Sequence, residues 1–272
     1  MEKKRIDAPD GVVLACYAAG PPDGREILFI HGFSQAALSW LRQLQDAELA
    51  REFRMVAFDL RGHGGSDKPA AGAFYTEDRR WADDIAAVIA AFGLKRPTLV
   101  GWSYAGRPII DYLRHYGQEG LAGINFVAAN VKDDPAFTGE TFALTQAMQS
   151  EDFVVALEAT RDFVRACFEI QPEPRDFEIM LAFNMAVPPQ VRKFMRARTP
   201  NPGDLLPKLK LPVLVTHGAR DRVSRLARSE FTAQAVPGAK LSVYEGVGHA
   251  PFWEDAPRFN RELAAFVRAA NG

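Results

Sequence analysis

Apolar positions recur along this chain in two rhythms. Short, nearly unbroken runs, EILFIHG (26–32), RMVAFDL (54–60), PTLV (97–100), GINFVAAN (123–130), PVLVTHG (212–218) and KLSVYEG (240–246), read as strands, most of them buried on both faces of a parallel sheet. Between them lie stretches with a helical period: 36–49, then 76–92, where Trp81, Ile85, Val88, Ile89 and Phe92 share a face, then 107–116. Residues 2–19 differ, reading as KKRIDA and VVLACYAA joined through Asp10-Gly11, a hairpin signal that predicts an antiparallel edge. Strands alternating with helices predict an α/β fold. The expected architecture is a doubly wound, mostly parallel twisted sheet with helices on both faces and ligands at the carboxyl ends of the strands.

The alternation stops between 131 and 207, where four helical patterns follow one another without a convincing strand. Pro172, Pro174, Pro188 and Pro189 separate them, and Pro200, Pro202 and Pro207 mark the return. The chain therefore divides into a core of 1–130 and 208–272 and a helical lid insertion of 131–207. The lid's apolar positions are Phe- and Met-rich, among them Phe142, Met148, Phe153, Phe163, Phe168, Phe183 and Met195. Most of these are expected to pack the lid itself, and the remainder to roof a partly apolar pocket over the strand ends.

Composition narrows the function classes. With 272 residues, 47% of them hydrophobic, the chain can bury a large core, and 33 Lys plus Arg against 34 Asp plus Glu leave a net charge of −1. That balance offers no electrostatic footprint for nucleic acid or an anionic membrane, so the expected partner is a small-molecule substrate. Cys16 and Cys167 lack metal-ligand spacing and are expected as buried thiols, with no metal or organic cofactor implied. The amino terminus lacks the apolar core of a signal peptide, and no apolar run approaches about 18 residues, so a cytoplasmic protein is expected. No pattern speaks to oligomeric state.

The candidate chemistry starts at LVGWSYAG (99–106), where a strand ends, Ser103 follows Gly101 by two residues, and a helical segment begins almost at once. Small residues on both sides permit so sharp a turn, and the helix amino end favours developing negative charge at the serine. A serine hydroxyl needs a base. His115 falls in a helical run, His31 and His217 end strands in HG pairs where a turn role is commoner, and His63 lies in RGHGGS. His249, in GVGHAPFWED beyond the last strand, is the expected base. Its second ring N–H needs an acceptor. Asp221, in ARDRVS beyond PVLVTHG, is favoured over Asp133 and Asp134, although alone it would read as a cap or an ion-pair partner of Arg220 or Arg222.

HGF (31–33), DLRGHGGSDKP (59–69), GWSYAG (101–106), GARDRVS (218–224) and GVGHAPFWEDAP (246–257) together resemble the α/β-hydrolase superfamily. The similarity lies in the branch of serine esterases, cofactor-free haloperoxidases, lactonases and carbon–carbon bond hydrolases. It covers the core and is weak across the lid. The resemblance implies that the backbone N–H groups of Phe33 and Tyr104 hold the oxyanion, and that Asp59 and Arg61 support a loop without acting as acid and base. Ala105 stands where many relatives have glycine, and Ser34 where relatives that favour perhydrolysis often have proline. Relatives that cleave epoxides or haloalkanes carry aspartate at the elbow, which Ser103 argues against.

The expectation is thus a serine hydrolase of ester-like bonds in a small, partly apolar substrate, acting through Ser103, His249 and Asp221. Carbon–carbon or lactone hydrolysis with the same residues is the alternative, and a ligand-binding receptor on the same fold the remaining one. Arg107, just after the elbow, is a candidate to bind a substrate carboxylate, weighed against a surface or helix-capping arginine.

Overall fold

The structure, a computed structural model, describes residues 1–200 and 202–272. β1 (Glu2–Asp7), β2 (Val13–Ala19), β3 (Arg25–Ile30), β4 (Phe53–Phe58), β5 (Thr98–Trp102), β6 (Gly123–Val127), β7 (Val213–Gly218) and β8 (Lys240–Tyr244) form one sheet in the order β1-β2-β4-β3-β5-β6-β7-β8. β1 and β2 pair antiparallel, as the Asp10-Gly11 signal predicts, and β2 meets β4 antiparallel; every pairing from β4 to β8 is parallel. All residues of β5, β6 and β7 are buried, so both faces of the sheet centre are covered, which is why those strands read as continuous apolar runs. The outer β1 is exposed and carries Lys3, Lys4 and Arg5, charges that discourage edge-to-edge pairing.

The longer helices are α1 (Asp78–Ala91), α2 (Gly106–Tyr116), α3 (Phe142–Ala147), α4 (Phe153–Ala166), α5 (Pro174–Met185), α6 (Pro189–Ala197), α7 (Ala227–Ala235) and α8 (Ala256–Asn271). None of the described helices is long and apolar enough to cross a membrane. The run 36–49 departs from the single helix its periodicity predicts, forming short turns at Ala37–Trp40, Leu41–Leu44 and Leu49–Glu52. Asp46 explains the break, because its Oδ1 accepts the N–H groups of Glu48 and Leu49 at 3.0 and 2.8 Å and restarts the chain. Trp40 still reaches the core, with ring centroids 4.9 Å from Phe29 and 4.2 Å from Phe252, and Phe252 meets Trp102 edge-on at 4.9 Å. This aromatic column ties the ends of β3 and β5 to the turn after residue 250.

Helices α3 to α6 all fall between β6 and β7. Met148, Phe163, Phe168, Phe183 and Met195 are buried there, whereas Phe142 and Phe153 are exposed, Phe153 by 66%.

Candidate active site

Because β3 to β8 run parallel, the segments that follow them emerge at one edge of the sheet. Phe33 follows β3, Ser103 follows β5, Ala128 to Asp133 follow β6, Asp221 follows β7 and His249 follows β8. Among the described residues three non-glycine positions have positive φ, and all lie at this edge: Ser34 (60°), Ser103 (55°) and Ala128 (45°). Such conformations cost about 1–3 kcal/mol each and persist where surroundings impose them, commonly at functional sites.

Two close approaches impose the Ser103 conformation. A methyl added to Gly106 would stand 2.7 Å from the backbone of Asn130, whose N–H donates to the Ser103 carbonyl at 2.7 Å. One added to Gly101 would stand 2.4 Å from Ile109 and 3.3 Å from the Ala105 methyl. Glycine is therefore required at 106, where the obstacle is backbone; at 101 a methyl would have to displace the end of the Ile109 side chain, and 105 has room for its methyl, which accounts for the departure from the usual glycine there.

Asp221 and His249 come together. His249 Nδ1 lies 2.6 Å from Asp221 Oδ2, with both side chains 1% exposed, so the ring donates its Nδ1–H to the carboxylate. Asp221 Oδ1 accepts the N–H groups of Val223 and Ser224 at 2.7 and 2.9 Å, and the Ser224 hydroxyl adds a bond of 3.0 Å to Oδ2. Burial alone would push the Asp221 carboxyl up, but attraction to His249, its hydrogen bond, His217 and the Ser224 N–H together hold it below the ordinary carboxylate value. His249 Nε2 is buried and has no hydrogen-bond partner among the described residues.

No hydrogen bond joins Ser103 to that nitrogen in this structure. Trp102 supplies the link instead: its Nε1 donates to the His249 carbonyl at 2.8 Å, and the two rings lie 5.4 Å apart. The His249 N–H donates to the Cys167 carbonyl at 3.0 Å, so the end of α4 also holds the loop. Glu254 completes the clamp by accepting from the N–H groups of Gly248, Glu169 and Ile170. The backbone of Cys167 thus has a positioning role that the sequence does not disclose; its thiol, like that of Cys16, is buried.

The other candidates fall elsewhere. His31 donates through Nδ1 to the Gly32 carbonyl and accepts the Leu60 N–H, with burial holding it down at about 4 although Asp59 pulls it up. His63 and His217 are likewise buried and lowered by desolvation. His115 sits 3.3 Å from Asp78. Asp59 accepts from the N–H groups of Ala37 and Gly65, and Arg61 binds Asp84 and Asp10, both in loop-supporting roles. Asp133 pairs with Arg107, and Asp134 caps the turn at Pro135–Phe137. Arg107 itself is 7% exposed, which corrects the surface-arginine reading: its Nη1 donates to the Arg198 carbonyl, and its guanidinium lies 5.0 Å from the Tyr104 ring centroid.

Ser103 opens onto a cavity of about 740 Å³. Phe33 and Tyr104 line it, with ring centroids 6.3 Å apart, and Phe163 of α4 meets Phe33 edge-on at 6.3 Å. The helices between β6 and β7 are also tied to the elbow by polar contacts. Tyr104 donates its hydroxyl proton to the Met195 carbonyl at 3.1 Å and accepts from Arg198 at 3.3 Å. Arg192 of α6 reaches Ser34 Oγ at 3.0 Å while donating to the Met148 and Asn184 carbonyls. Burial pushes its guanidinium down to about 10, and none of these three acceptors is a carboxylate. Among the described residues no three His, Cys, Asp or Glu side chains gather as a metal site. The arrangement offers a serine on a strained backbone, a carboxylate-oriented imidazole with one nitrogen uncommitted, and a half-open, partly apolar space.

Comparison with known proteins agrees with this architecture. A solved structure from Burkholderia cenocepacia, of a protein provisionally assigned as an aryl esterase, superposes with a TM-score of 0.95 at 38% identity, covering 99% of each chain. The esterase RhEst1 from Rhodococcus sp. ECU1013 gives 0.92 at 31% identity, covering 99% of this chain and 100% of that one. The non-heme chloroperoxidase CPO-A1 of Kitasatospora aureofaciens is 28% identical over 90% of this chain and 92% of its own. A model of the alpha/beta hydrolase family matches residues 27–262. The chain is a member of the α/β-hydrolase family and an enzyme of that fold.

Proposed function

We propose that the protein is a serine hydrolase of carboxylic esters in which Ser103 is the nucleophile, His249 the base and Asp221 the residue that orients it. The observation that carries this reading is the His249–Asp221 pair: Nδ1 is committed to the carboxylate at 2.6 Å and Nε2 has no partner, the state required of a base awaiting a hydroxyl proton. The positive φ of Ser103 supports it, as does the Trp102 bond that fixes His249 beside the elbow.

His249 Nε2 takes the proton as Ser103 Oγ attacks the ester carbonyl. The oxyanion is received by the backbone N–H groups of Phe33 and Tyr104, each donor being worth about 3 kcal/mol in the transition state. The imidazolium then protonates the departing alcohol, and water, activated by the same nitrogen, releases the acid from Ser103. Asp221 keeps the tautomer fixed and stabilises the imidazolium. Residues 131–207 act as a lid that sets the cavity's shape through Phe142 and Phe163. Ser34 weighs against perhydrolysis, because at φ 60° its backbone excludes the proline that relatives favouring that reaction often carry. The esterases among the relatives support ester cleavage over the carbon–carbon alternative.

The reading is tested with a short p-nitrophenyl ester and purified Ser103→Ala. Loss of at least about a thousandfold in kcat is expected, and a variant as fast as the parent would overturn it.

A further inference from the structure

Arg107, Arg196 and Arg228 all reach the cavity that Ser103 opens onto, yet their charges are not equally balanced. Arg107 Nη2 binds both oxygens of Asp133 at 2.8 and 3.1 Å, and Asn130 also donates to that carboxylate at 3.0 Å. Asp134 on the same wall accepts the Ala136 N–H and lies 3.9 Å from Lys132 Nζ. Neither Arg196 nor Arg228 forms an ion pair with a carboxylate of the described residues.

Arg228, in the first turn of α7, is 7% exposed. Its Nη atoms make only long contacts, 3.4 Å to the Lys132 carbonyl and 3.5 Å to that of Phe137, and its Nε is buried with no partner. Arg196, half-buried on α6, donates to the Thr145 hydroxyl and lies 4.9 Å from the Phe142 ring centroid. Burial lowers both groups, Arg228 to about 10, with like charge on Arg107 acting in the same direction and Asp133 opposing. A desolvated guanidinium without a counter-charge is costly, and its planar fork suits a carboxylate.

Resting on the ester-hydrolase reading above, we propose that this part of the cavity is an anion subsite, and that the preferred substrates are esters carrying a free carboxylate, received by Arg228 and Arg196, a few bonds from the scissile carbonyl. The apolar rings of Phe33 and Phe163 would face the chain between the two ends.

The test compares p-nitrophenyl hydrogen glutarate with the neutral p-nitrophenyl pentanoate. kcat/KM is expected to favour the hydrogen glutarate by at least about tenfold, mostly through KM. The preference should fall to within about twofold of unity in Arg228→Gln, partly survive in Arg228→Lys, and drop in Arg196→Gln, whose half-exposed position makes it the safer variant to fold. A merely structural role would slow both esters alike. Calorimetric titration of glutarate into Ser103→Ala should give binding that Arg228→Gln or Arg196→Gln weakens by a similar factor. Ser103-dependent turnover of both esters without preference overturns the subsite and leaves ester hydrolysis standing. Glutarate binding with no turnover of either ester does the reverse, and absence of both overturns the two together.

Discussion

The carboxyl edge of the sheet and the helical segment between β6 and β7 meet around one cavity, but they are held in different ways. At the sheet edge, position comes from the backbone: strand register, a residue forced to φ 55°, glycines where a methyl would collide, and carboxylate oxygens capped by N–H groups. On the helical side it comes from long side chains that cross to and from the core: Arg192 reaches Ser34 and Arg198 reaches Tyr104, while Arg107 of the core reaches out to the Arg198 carbonyl. The first device fixes the backbone around Ser103 and the carboxylate of Asp221 and tolerates little change. The second shapes a cavity and can be altered one arginine at a time. Catalytic groups and selectivity should therefore respond differently to substitution.

The largest effects belong to the sheet edge. His249→Ala should lower kcat for a simple ester by about 10⁴- to 10⁶-fold while leaving the circular-dichroism spectrum intact. Asp221→Asn should cost about 10⁴-fold by freeing the wrong tautomer, and it carries a pH signature. Because the native carboxyl is held below its ordinary value of 3.8, the stability it confers is present above that pH and is lost as the pH falls through the lowered native value. Denaturant melts from pH 7 downward should show the gap between parent and Asp221→Asn closing only on the acid side.

An intermediate effect tests the helical side. Arg192→Met removes the donor shared by Ser34, Met148 and Asn184 and should cost about 2–4 kcal/mol in denaturant unfolding. The comparison would fail if that substitution abolished turnover as fully as His249→Ala in a protein that remained folded. The smallest effect is expected at Phe153, where replacement by Ser should change stability by no more than about 0.5 kcal/mol, because the side chain is 66% exposed.

The same division decides what could be read from the chain. Strand runs, the hairpin and the order in which Ser103, Asp221 and His249 follow their strands are local patterns, and the sheet gathers them at one edge because its strands are parallel. The pairing of His249 with Asp221, and the structural roles of Asp59 and Arg61, appear where that pattern puts them. What stayed hidden depends on long-range contacts of flexible side chains. Nothing near Arg107 announces Asp133 as its partner, nothing near Arg192 announces Ser34, and no local signal shows that the Cys167 carbonyl would hold the His249 amide. The broken run at 36–49 was hidden differently, since a single carboxylate on Asp46 overrides an otherwise helical period.

The account turns on whether His249 activates Ser103. The most direct measurement is the rate and site of reaction with a fluorophosphonate, read by intact mass and peptide mapping. A single adduct on the Ser103 peptide is expected, formed at least about a thousandfold more slowly in His249→Ala. A folded protein that takes up no label, or one that labels as fast without His249, would contradict it.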